Sequence, residues 1–83
     1  MKTTRAEFQV FAFLSSGLGV LAEWPLCLFP VRDRSVAERT AARFIEQVRA
    51  SMQDDPFDEG LPWTCHIGDG VFMSTEVRER VVW

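Results

Sequence analysis

Residues 35–52 read SVAERTAARFIEQVRASM, and the fold turns on them. Ala37, Ala41, Phe44, Ile45, Val48 and Met52 recur every three or four residues. That is the helical period, and it gathers them into one apolar stripe. Arg39, Arg43, Glu46, Gln47 and Arg49 fall largely away from it. Ser35, with Glu38 three residues on, has the pattern of a capping box, in which the hydroxyl accepts an orphan amide of the first turn. Arg43 and Glu46, and Glu46 and Arg49, are spaced as opposite-charge pairs one turn apart. A single helix with one apolar face must lie against another layer, and the segments on both sides of it read as strands.

Upstream, residues 6–14 read AEFQVFAFL. Phe8, Val10, Ala12 and Leu14 share one strand face, and Glu7, Gln9, Phe11 and Phe13 share the other. The first face is uniformly apolar. The second starts polar and becomes aromatic, as expected of a strand whose outer face a helix later covers. Ser15, Ser16, Gly17 and Gly19 mark a turn. The apolar run that follows holds Pro25 and Pro30, which cannot donate to a ladder. It is expected as an edge strand or as two short pieces with a break, forming a hairpin of residues 6–14 with about 20–29.

Downstream, residues 53–62 read QDDPFDEGLP, a loop with Phe57 as its one large apolar anchor. Gly68-Asp69-Gly70 between two short apolar runs is a hairpin turn. Residues 75–83, TEVRERVVW, fit a strand better than a helix because Val-Val-Trp packs poorly on a helix. The expected fold is α+β: an antiparallel sheet of four or five strands packed against one central amphipathic helix, in the order β-β-α-β-β. Residues 1–83 form a single small domain.

Composition narrows the function. Of 83 residues 47% are hydrophobic and 12% aromatic, too apolar for an acidic disordered tail. The formal charge is −3, which argues against a nucleic-acid coat. Two cysteines are too few for a disulfide scaffold, so reduced thiols and a cytoplasmic setting are expected. The apolar run over residues 10–27 contains Glu23 and Pro25, which speaks against a membrane span.

His66 is the only histidine. Its neighbour Cys65 should point to the opposite strand face, out of reach for thiol activation. With Cys27 and Asp69, these are the groups a site at a homodimer interface would use, in the alternative reading of a small enzyme or ligand-binding domain. No metal-ligand spacing and no phosphate loop occur. No catalytic residue, metal ligand or cofactor is therefore assigned.

Charge is unevenly placed. Residues 32–49 carry five arginines against three acids, while residues 54–69 carry five acids and no Lys or Arg. Acids after a helix C-terminus oppose its dipole, so a purely stabilising role is disfavoured. The expected function is binding to another protein with a basic surface, through Asp54, Asp55, Asp58, Glu59, Phe57 and Trp63, with Arg39 and Arg43 on the helix. A homodimer is the other assembly considered. A nucleic-acid module drawing on the helix arginines is a third, weaker reading, since acids interleave them. In size and charge alone the chain looks broadly like small acidic inhibitor proteins of mobile elements, including inhibitors of CRISPR complexes and host nucleases. That likeness carries over no residue.

Overall fold

A computed structural model describes residues 5–27, 29–52 and 58–82. The elements are β1 (Arg5–Ser16), β2 (Gly19–Pro25), α1 (Arg34–Met52), β3 (Thr64–Gly68) and β4 (Val71–Val82). They form a four-stranded antiparallel sheet in the order β2-β1-β4-β3, with the single helix packed on one face. The expected α+β fold and element order are thus observed.

The two long strands, β1 and β4, are the spine. They pair in unbroken register from Arg5 opposite Val82 to Ser15 opposite Phe72. The C-terminal segment is therefore a continuation of β4 and not a separate fifth element. The turn before β4 is tight, with positive φ at Gly68, Asp69 and Gly70. Asp69 is one of the few side chains that tolerate this region.

The outer strands are shorter. β2 lies only along Phe11–Ser16 of β1. It stops at Pro25, and the chain then returns to β1 in pieces. Leu26 donates to the Val10 carbonyl at 2.8 Å, and Val31 bridges Phe8. The proline break expected from sequence is thus real. β3 faces only the Val71–Ser74 part of β4.

The helix crosses β1, β4 and β3 without reaching β2. Its buried residues are Ala37, Ala41 and Ile45. Ala37 and Ala41 meet Phe8 and Val10, flanked by Leu26, Cys27, Val31 and Val77. Small alanines let the helix axis approach the sheet. Met52, at the end of the stripe, is exposed.

Three local expectations are corrected. First, Asp33 and not Ser35 caps the helix. The Asp33 carboxylate accepts from the Ser35 amide at 2.9 Å and from the Ser35 hydroxyl at 2.7 Å, while its carbonyl accepts from Ala37. An anion at the helix start satisfies orphan amides and the dipole together. Glu38 instead lies 3.9 Å from Arg34. Second, Arg49 turns from Glu46 to Asp58 in the following loop. Third, α1 covers the Phe8–Val10–Ala12 face, not the Phe11–Phe13 face. The latter begins with Glu7 and Gln9, which burial under a helix would strip of water.

Candidate functional site

The groups that could carry chemistry are separated by the sheet. Cys65 is 1% exposed and faces the helix with the core. His66, its neighbour, lies on the opposite face, with its ring 5.1 Å edge-on from Phe72. Cys27 packs against the Phe8–Val10–Ala37–Ala41 cluster, again on the helix side. Neither cysteine is in a disulfide. Asp69 sits in the β3–β4 turn, beside a shallow hollow shared with His66 and Phe72. Among the described residues, no group of three His, Cys, Asp or Glu side chains converges as metal ligands would. Among the same residues, no helix is long and apolar enough to cross a membrane.

The expected partner-binding residues do not form one surface. Asp54, Asp55 and Phe57 lie outside the described residues. Asp58 is held inside the chain by Arg49, whose hydrogen bond keeps this carboxyl below the usual carboxylate range. The Gly60 amide, donating at 3.1 Å, adds to that effect. Glu59 is exposed. Arg39 and Arg43 stand on one flank of α1, above a groove formed with Leu26, Val36 and Phe44.

Trp63 stands on the other flank. There Glu38, Ala41 and Ala42 of α1, Thr75 and Val77 of β4, and Pro62 and Trp63 line a hollow of about 390 Å³. The reason is topological. β3 begins at Thr64, so no strand covers the ground between α1 and the outer edge of β4 beyond Thr75 among the described residues. Trp63 closes the paired region, its carbonyl accepting from the Thr75 amide at 2.9 Å. Trp63 is 55% exposed.

The uncovered sheet face carries Phe11, Phe13 and Phe72, half-buried or exposed. Arg78 lies 4.1 Å from the Phe11 ring centre, and it reaches Glu23 at 2.8 Å and Glu76 at 2.9 Å. Those carboxylates, Glu76 first, hold the guanidinium firmly charged. Glu7, Glu23 and Glu76 share this face with Arg5, Arg78 and Arg80, so it offers a phosphate backbone no net positive charge.

At the far end, the β1–β2 hairpin extends past the helix. Leu18 is 98% exposed, and Val20 and Leu21 are exposed beside it. Sequence reasoning singled out Trp63 but missed its groove, the β4 edge and this tip. Strand lengths were the missing information: Pro62 and Gly68 bound β3 tightly in the sequence, whereas nothing there marks β4 as running on alone. No protein family, curated protein or solved structure matches the chain.

Proposed function

We propose that this chain is a small non-catalytic module that binds another protein, docking it at the Trp63 groove. The observation that carries this reading is the placement of Trp63, a half-exposed indole over an apolar hollow of alanine, proline and valine. Tryptophan in a concave apolar setting is the side chain most enriched among binding hot spots.

A module that works by occupying a surface fits the inhibitory role of small acidic proteins from mobile elements. Two cysteines outside any disulfide fit a reducing, cytoplasmic compartment. Complementarity to a basic partner now rests on Asp54, Asp55 and Glu59, because Asp58 is bound by Arg49.

The test is affinity purification of the tagged chain from its native cells, wild type beside Trp63→Ala. The wild type retains a partner and Trp63→Ala loses most of it, with an unchanged circular dichroism spectrum. Equal retention by a folded Trp63→Ala chain would overturn the reading. Charge reversal at Asp54, Asp55 and Glu59 tests the basic-partner component without touching the Arg49 contact.

A further inference from the structure

The outer edge of β4 is an unfilled strand position. Thr75 donates outward, to Trp63, at 2.9 Å. In an antiparallel ladder the backbone groups alternate direction. Val77, Glu79 and Val81 therefore also turn N–H and C=O outward, where no backbone partner stands among the described residues. The even-numbered residues bond inward to β1. On the opposite edge of the sheet, Pro25 at the end of β2 removes one outward donor, since its nitrogen carries no hydrogen.

We propose that residues 77–82 of β4 receive an extended strand of the partner protein, one that alternates acidic and apolar side chains. This rests on the binding reading above, since the Trp63 groove lies against the same edge. Three observations define the strand. The outward amides and carbonyls accept only an extended backbone. On the helix side, alternate residues of the incoming strand enter the hollow between Trp63, Ala41, Ala42 and Val77, which favours apolar ones. On the open face the strand meets Arg78 and Arg80. These lie at positions that do not bond to the new strand, where facing side chains come closest. Arg80 is exposed and stands across the ladder from Glu7, and among the described residues no ion pair within 4.0 Å holds it there, so its guanidinium can turn to an acid on the outer side.

The same charges argue against a second copy. Thr75 is already paired with Trp63, so a second β4 has to fit residues 77–82. A two-fold centred on Glu79 sets Glu79 against its own counterpart and Arg78 against Arg80 twice. A two-fold centred on Arg80 sets that arginine against itself. Like charges directly opposite are destabilising. The edge therefore resists self-pairing while accepting a strand of complementary charge.

The test uses the full chain, ¹⁵N-labelled, with two synthetic peptides, one alternating glutamate with valine and the other alternating lysine with valine. Amide exchange at Val77, Glu79 and Val81 is fast in the free chain. Millimolar Glu/Val peptide slows it about tenfold or more, and Lys/Val peptide does not. Arg80→Glu shifts the preference away from the Glu/Val peptide; because position 80 faces Glu7 across the ladder, an unchanged circular dichroism spectrum is required of it, and Arg80→Gln, which adds no like charge there, loses the preference as well. Equal slowing by both peptides, or by neither, would overturn the proposal. So would amides already protected in the free chain, whether light scattering finds a monomer or a dimer. If the edge ignores both peptides while Trp63→Ala still abolishes capture in cells, strand addition falls and the binding reading stands. If the Glu/Val peptide binds while Trp63→Ala leaves capture unchanged, it is the groove reading that falls.

Discussion

Arg49, in the last turn of α1, grips Asp58 of the following loop through two nitrogens, Nε toward Oδ2 and Nη2 toward Oδ1. Nη2 also donates to the carbonyls of Leu61 and Thr64, at 2.6 and 2.8 Å. One guanidinium thus ties the end of the helix to the start of β3 and orients the approach to Trp63. Arg49→Met should cost about 2 kcal/mol, because it leaves those acceptors to water and Asp58 without a cation. Urea unfolding measures this directly. Arg49→Lys should recover only part of the loss, since an ammonium cannot fork between carboxylate and carbonyls.

Acid should loosen the molecule at two defined places. Asp58 is held below the usual carboxylate range by Arg49 first and the Gly60 amide second. Asp33 is held below it by the Ser35 hydroxyl and then the Ser35 amide. A carboxyl whose folded pKa is depressed adds stability above its unfolded pKa, about 4, and loses that stability as pH falls through the folded value. The urea midpoint should therefore not fall on this account between pH 7 and about 5, and should drop below about pH 4. In Asp58→Asn the acid-dependent part of the drop should shrink. An unchanged drop would show that this carboxyl does not contribute.

The apolar stripe of α1 is not uniform in importance. Ile45 is fully buried, whereas Met52 is exposed. Ile45→Ala should cost about 2–5 kcal/mol, and Met52→Ala within about 0.5 kcal/mol of nothing. Chemical denaturation of both variants checks the direction in which the helix faces.

The two thiols should differ in reactivity. Cys65 is sealed under α1, while Cys27 is half-buried in the segment after β2. A thiol reagent should modify Cys27 alone in the native chain and reach Cys65 only on unfolding. Rapid native labelling of Cys65 would contradict its core position and revive a reactive-thiol role beside His66.

Much of this architecture was legible before any coordinates. The helix was readable because its period is unambiguous over five turns. The Gly68-Asp69-Gly70 turn was readable because few residues accept its backbone angles, and the break after β2 because proline cannot donate. What stayed hidden is non-local. The rival caps, Asp33 and Ser35, differ only in which one the helix leaves outside. Arg49 has Glu46 near it in sequence and Asp58 near it in space. The candidate site was hidden for a similar reason. Trp63 stood out by its type, but its groove exists because β3 is five residues long beside a twelve-residue β4, and pairing lengths are not written in either strand alone.

The central claim is that the chain meets another protein at Trp63. The most direct measurement places a photo-activated benzophenone side chain at position 63 of the tagged protein in its native cells, and the same group at Ala50, an exposed helix position outside both grooves. The account predicts a single discrete adduct from position 63 and none from position 50. No adduct from position 63, or the same adducts from both positions, would contradict it.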